Sequence, residues 1–213
     1  MKKMNLPNKL TMLRILLVPA VIACILIDFP FHLLAAAVLF GIASITDALD
    51  GKIARRDNLI TDFGKFADPL ADKILVISVL VCFVKLGLCG AVPLIIIIFR
   101  EFAVTSVRLV AAAKGKVIAA NMWGKVKTVS QIVAIGAIFL MQTALDIISL
   151  AMVGWVVPFG HLQSYNWTAY WTLDTIYNVF NIIGQVLIWI VAVVTVISGV
   201  KYLKDNIEVI SDM

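Results

Sequence analysis

The sequence predicts an all-α membrane protein: a bundle of six transmembrane helices with its active site on the cytoplasmic side. Three observations lead there. Apolar residues make up 62% of the 213-residue chain, and its mean hydropathy is +1.03, far above that of a soluble domain. Apolar runs long enough to cross a bilayer recur along the chain, and a helix satisfies its own backbone hydrogen bonds inside lipid. The net charge of +5 is spread over alternate connections, which is a topological signal and not a nucleic-acid one. Residues 1–213 read as one membrane domain, with 1–9 as an interfacial N-terminal segment and 144–174 as an outward-facing extension.

The spans follow in order. Leu10–Phe29 comes after MKK and the polar stretch Asn5–Lys9. With Arg14 near its start, it reads as a membrane helix entered from an interfacial anchor, not as a cleaved signal peptide. Leu33–Ala54 and Thr61–Leu86 form the next pair, then Ala91–Ala113, Lys125–Leu145 and Tyr177–Val200. The connections Asp28–Pro30 and Leu86–Gly90 are short, so the helices they join are antiparallel neighbours. The stretch Ala144–Asp174 fits least well. Its apolar part, Ile147–Phe159, is too short to cross unaided. With Trp155, Tyr165, Trp167, Tyr170 and Trp171 it reads as an extension of span five plus an interfacial aromatic belt.

Orientation follows from the cations. Lys2, Lys3 and Lys9 precede span one. Lys52, Arg55, Arg56 and Lys65 surround the turn between spans two and three. Lys114, Lys116, Lys125 and Lys127 surround the turn between four and five, and Lys201 and Lys204 follow span six; the other connections hold only Lys85. Both termini and these two turns are therefore expected in the cytoplasm. Cys24, Cys82 and Cys89 have neither an even count nor metal spacing, and read as small core residues. His32 and His161 fall in outward connections, away from the chemistry.

The chemistry is concentrated in DALDGKIARRDNLITDFGKFADPLADK, Asp47 to Lys73. On a helix, Asp47, Asp50 and Ala54 share one face and Asp68 and Asp72 another. The turn between them is short, so two acidic faces can meet inside the bundle. Four carboxylates in a low-dielectric interior cannot all ionise unaided. Oxygen ligands without accompanying Cys or His favour Mg²⁺ or Mn²⁺, and two such ions would neutralise a pyrophosphate and polarise its phosphorus. Gly51 and Gly64 allow close approach by a ligand or a facing helix. Asp57 and Asp62 read as turn and cap residues. Pro69 should loosen span three, because its nitrogen cannot bond the Lys65 carbonyl. The bare chemistry also allows an acidic-site cation transporter.

The spacing D-x2-D-G-x2-A-R-x8-G-x3-D-x3-D is met in full by Asp47, Asp50, Gly51, Ala54, Arg55, Gly64, Asp68 and Asp72. It resembles the signature of the CDP-alcohol phosphatidyltransferases, six-helix and usually dimeric membrane enzymes that use Mg²⁺ or Mn²⁺. The resemblance implies that Asp47, Asp50 and Asp68 hold metal and the CDP pyrophosphate. It places Gly51, Ala54, Arg55 and Gly64 along the CDP group. Asp72 would ligate metal and take the proton from the acceptor hydroxyl. NLPNKLTMLR (Asn5–Arg14), REFAVTSVRL (Arg100–Leu109) and GKVKT (Gly124–Thr128) are similar to segments of the bacterial phosphatidylglycerophosphate synthases. That subfamily implies CDP-diacylglycerol and sn-glycerol 3-phosphate as substrates and a homodimer in the bacterial inner membrane, among membrane lipids. The length and aromatic content of 144–174 depart from it. Phosphatidylglycerol, serine and inositol phosphate are alternative acceptors.

A phosphorylated acceptor also has a physical basis. Arg100 and Glu101 interrupt Ala91–Ala113 near its middle, where a charge needs a partner or a ligand. Arg108 lies two turns on, and arginine suits bidentate phosphate binding. A Glu101–Arg108 pair within the bundle is the structural alternative, which would leave Arg100 for a ligand. Lys125 and Lys127 are candidate phosphate contacts, or positive-inside anchors. Asn8, Thr11 and Arg14 are candidates for the nucleotide side, or parts of the interfacial anchor. No H-x-K-x4-D motif occurs, so a phosphohistidine route is excluded.

The topology is directly testable. Single cysteines at Lys3, Asn58, Lys116 and Asp212, in a background lacking the native three, should be labelled only from the cytoplasm. Labelling of the Asp212 position from outside would mean a seventh span.

Overall fold

The computed structural model describes residues 6–56, 62–113, 122–156 and 167–207, with side chains outside that description at 6–8, 47–56, 62–69, 72, 113 and 167–170. Among the described residues six helices follow one another: α1 (Leu6–Leu26), α2 (His32–Arg56), α3 (Asp62–Lys85), α4 (Ala91–Ala113), α5 (Met122–Val153) and α6 (Trp167–Asp205). Each covers one of the six expected spans. α1, α5 and α6 contain apolar windows that meet the needs of a membrane crossing by length and composition. α4 has 23 residues, or about 35 Å of helix, but its apolar run is broken by Arg100, Glu101 and Arg108. The exterior is apolar: Phe99 is 75% exposed, and Leu16, Ile95, Val133, Leu140 and Ile182 are exposed with it. Arg14, Lys127, Gln131 and Gln142 are buried. Apolar outside with polar groups inside is the pattern of a bundle solvated by lipid.

The chain forms two compact units, residues 1–82 with 139–180, and 83–138 with 181–213. In the first, α1 packs along α2. Thr11, Arg14, Val18, Val21 and Ile25 make one buried stripe on α1, and Leu33, Ala36, Phe40 and Ala43 make another on α2. Phe40 meets Phe139 of α5 with ring centroids 6.0 Å apart. The α1–α2 turn is tight, with Phe31 in the left-handed region at φ 59°. His32 lies not in the connection but at the first position of α2, buried. Its Nδ1 is 3.0 Å from the Cys24 carbonyl, and its ring stands edge-on to Phe29. An imidazole with a carbonyl partner and a ring contact can be buried, which explains the difference from expectation. His161 lies outside the described residues.

Contacts in the second unit fix helix directions. Reading along α4 and α6 together, Gly90 neighbours Gln185, Arg100 bonds Ser198, and Arg108 lies over Tyr202. α4 and α6 therefore run in the same direction. α5 runs against both, since Lys127 meets Glu101, Trp123 meets Lys201 and Ile138 meets Gly184. One reversal separates α5 from α6, as six spans require. A further crossing within 144–174 would have turned α6 the other way.

α5 extends past the expected end, to Val153, and α6 begins at Trp167, ahead of the expected Tyr177, so Trp167, Tyr170 and Trp171 lie in its first turns. Thr175 donates to the Trp171 carbonyl at 2.7 Å and Asn178 to Asp174 at 3.0 Å, so polar side chains find partners along the helix itself. Tyr165 lies outside the described residues. With 32 and 39 residues, α5 and α6 are about 48 and 58 Å long, well beyond a hydrocarbon core of about 30 Å.

Two helix ends depend on glycine. At the end of α3, Gly87 adopts φ 73°, its N–H donates to the Val84 carbonyl at 3.1 Å, and Leu88 donates to Phe83 at 2.9 Å. This is the paired-bond C-terminal cap that a left-handed residue completes. Gly154 closes α5 with φ 84° and a 2.9 Å bond to the Leu150 carbonyl. The buried thiol of Cys89 beside the first cap donates to the Gly90 carbonyl at 3.3 Å, and burial pushes its pKa up to about 11. It is a protonated packing group at neutral pH.

Among the described residues no packing neighbour lies within 4 Å of a Cβ added at Gly87 or at the helical Gly136, so each alanine there reports on the backbone. Gly87→Ala should destabilise by about 1–2 kcal/mol, and Gly136→Ala should stabilise by about 0.5–1 kcal/mol. Thermal unfolding in detergent should move in opposite directions for the two.

Candidate active site

The acidic signature falls on two helices of the first unit. Asp47, Asp50, Gly51, Ala54 and Arg55 lie on α2, and Gly64, Asp68 and Asp72 on α3. The backbone is helical at all eight positions and runs unbroken through Pro69. The expected registers therefore hold: 47, 50 and 54 at i, i+3 and i+7, and 68 and 72 at i and i+4. The side chains of all eight lie outside the description. Four aspartates offer oxygen donors only, the chemistry that a hard divalent cation takes. Among the described residues no group of three Asp, Glu, His or Cys is placed to hold a metal.

α1 adds two polar groups to the interior of the same unit. Thr11 and Arg14 are both 0% exposed, one turn apart on the stripe continued by Val18, Val21 and Ile25. Lys9 is exposed, as an interfacial anchor should be; Thr11 and Arg14 are not anchors. Both are engaged by neighbours. A fully buried guanidinium in an apolar bundle is costly without such partners. The side chain of Asn8 lies outside the described residues.

The second unit holds a buried charge network. Glu101 accepts from Arg100 Nη1 at 3.0 Å and pairs with Lys127 Nζ at 2.5 Å. The three side chains are 14%, 12% and 6% exposed. The second arm of Arg100, Nη2, donates to Ser198 Oγ at 2.7 Å. Glu101 therefore pairs with Arg100 and Lys127, and not with Arg108 as the structural alternative supposed. Neighbours i and i+1 on a helix do not face each other, but Arg100 folds back because Ser198 holds its far side. Arg108 instead rests over the Tyr202 ring, 5.7 Å from its centroid. Lys125, two residues from Lys127 and hence on another side of α5, is exposed.

Sequence reasoning missed Ser198, Gly199 and Tyr202. Their signal was available: Thr195, Ser198, Gly199 and Tyr202 recur at i, i+3, i+4 and i+7 in an otherwise apolar helix, and all four are buried.

Residues 4–197 match the family model described as CDP-alcohol phosphatidyltransferase. The chain belongs to this family. A Bacillus subtilis relative is 40% identical over 216 residues, covering 96% of each chain. One from Rickettsia bellii is 33% identical over 200 residues, 94% of each, and one from Haemophilus influenzae is 30% identical over 217, covering 97% of this chain and 99% of its own. All three are named CDP-diacylglycerol–glycerol-3-phosphate 3-phosphatidyltransferase. The family match extends over both compact units, and so over the acidic signature and the buried cations alike.

The network predicts a stability effect in this phosphatidyltransferase. Glu101→Gln removes the carboxylate that Arg100 and Lys127 share, which should cost about 3–5 kcal/mol. Glu101→Gln/Lys127→Met should regain much of that loss. Detergent thermal melts of the two variants give the comparison.

Proposed function

We propose that this chain transfers the phosphatidyl group of CDP-diacylglycerol to sn-glycerol 3-phosphate, giving phosphatidylglycerol phosphate and CMP. The observation that carries this is the complete acidic signature in a chain that matches the three relatives above, which share one name, over nearly their whole length. The buried cations of α4 and α5 support a phosphorylated acceptor, because they provide the charged donors a phosphate dianion recruits.

Asp47, Asp50, Asp68 and Asp72 would hold Mg²⁺ or Mn²⁺. When bound, two such ions neutralise the pyrophosphate and make its phosphorus more electrophilic. Gly51, Ala54, Arg55 and Gly64 line the CDP group, and Thr11 and Arg14, with Asn8, serve its nucleotide side. Arg100, Arg108 and Lys127 bind the acceptor phosphate. Asp72 accepts the proton of the acceptor hydroxyl as that oxygen bonds the phosphorus bearing diacylglycerol. The bond from this phosphorus to the bridging oxygen of CMP breaks, and CMP departs. Both termini face the cytoplasm of a bacterial inner membrane, and the working form is a homodimer.

Asp72→Asn separates chemistry from binding. The amide is nearly isosteric, so folding survives, and CDP-diacylglycerol still binds through the other three aspartates. Turnover falls by about 10²–10⁴, the usual contribution of a positioned general base. Asp50→Asn instead weakens metal and nucleotide binding together. Release of CMP by purified protein with Mn²⁺, CDP-diacylglycerol and a panel of acceptors tests both variants and the acceptor at once. Near-normal turnover of Asp72→Asn at saturating substrates removes Asp72 as the base. Equal rates with unphosphorylated glycerol remove the phosphate contacts.

A further inference from the structure

The arginines assigned to the acceptor phosphate are long, and a phosphate site needs them held before the ligand arrives. The structure shows what holds them. On α6, Ser198, Gly199 and Tyr202 share one buried face, and each meets an arginine of α4. Ser198 Oγ accepts from Arg100 Nη2 at 2.7 Å. Gly199 lies under the stem of the same side chain: a Cβ there would come within 2.9 Å of Arg100 Cγ and 3.6 Å of its Nε. Cγ is near the root of the side chain, so a methyl group at 199 would shift the whole guanidinium. Tyr202 is buried and its ring centroid lies 5.7 Å from the Arg108 guanidinium carbon, a cation–π contact that attracts the cation to the ring.

Arg100 is thus clamped on three sides. Nη1 is turned to Glu101, Nη2 to Ser198, and Nε packs on Gly199 with no hydrogen-bond partner among the described residues. Each terminal nitrogen has a second hydrogen, and the fork they form is a bidentate donor for phosphate. The Tyr202 hydroxyl likewise has no hydrogen-bond partner among the described residues, so its ring accounts for its contact with Arg108. α4 and α6 run in the same direction, so one turn of α6 serves both arginines.

We propose that Ser198, Gly199 and Tyr202 are positioning residues for the acceptor phosphate, with α6 setting the geometry of Arg100 and Arg108. This rests on the reading that those two arginines bind the phosphate of sn-glycerol 3-phosphate. It adds that a face of α6, whose residues need not touch the acceptor, determines how tightly the acceptor is held.

The experiment measures KM for glycerol 3-phosphate, KM for CDP-diacylglycerol and kcat in Gly199→Ala, Ser198→Ala, Tyr202→Leu and Tyr202→Phe, beside Arg100→Ala and Arg108→Ala. Gly199→Ala and Tyr202→Leu should raise KM for glycerol 3-phosphate about tenfold, the lower end of what a lost charged hydrogen bond does. Their KM for CDP-diacylglycerol and their kcat at saturating acceptor should stay within about twofold, a split that a general loss of packing would not give. Tyr202→Phe keeps the ring and should recover most of what Tyr202→Leu loses. Gly199→Ala should add nothing in an Arg100→Ala background, because it acts only through that side chain. If Gly199→Ala does not fold, Ser198→Ala, which removes one hydroxyl, and the Tyr202 pair decide. Raised acceptor KM in the arginine variants with no change in the α6 variants overturns this inference and leaves the phosphate assignment standing. No change in the arginine variants overturns the assignment itself.

Discussion

A charge buried among apolar helices needs a partner, because lipid offers it none. Much of this structure follows from that constraint. Glu101 in the middle of α4 could not remain an isolated carboxylate, and it draws Lys127 from α5 and Arg100 from its own helix into one network. Arg100 in turn reaches Ser198, which ties α6 to the same point. Three helices whose outer surfaces are apolar are thus registered by four polar side chains. Apolar packing alone specifies register poorly in a membrane, where lipid tails compete with side chains on equal terms.

The sequence made much of this legible, and the physical reasons are visible in particular residues. The α1–α2 and α3–α4 connections fell where Pro30, Gly87 and Gly90 interrupt apolar runs, and the structure moved the helix ends by only a few positions. The acidic pairs were readable because helical spacing is local: 47 with 50, and 68 with 72, need only a helix to share a side. Arg14 was harder. A cation a few residues into a first span is normally an anchor reaching back to the headgroups, and only the buried stripe with Val18 and Val21 shows that it faces inward. The length of α6 was illegible because tryptophan and tyrosine near a membrane edge fit a belt or a helix equally well.

The role of α6 was the least readable part, for a reason of distance along the chain. Ser198 lies 98 residues from the arginine it holds, and nothing in either local sequence points to the other. A serine and a glycine in an apolar helix resemble ordinary small packing residues. Their meaning comes only from the side chain that crosses them, and Gly199 matters for the atoms it lacks. The division of chemistry between helices is plainer: carboxylates of the signature lie on α2 and α3, while the cations of the buried network lie on α4 and α5.

Two cations and one carboxylate meet at Glu101 among the described residues, and Glu101 and Lys127 have further neighbours. A site that takes the acceptor by its phosphate takes other small tetrahedral anions by the same donors, whether or not they carry a hydroxyl to react. Inorganic phosphate and sulfate then act as competitors of the acceptor, and the choice of buffer becomes part of the measured affinity. A chloride or acetate medium leaves the cluster closer to the state in which the acceptor finds it.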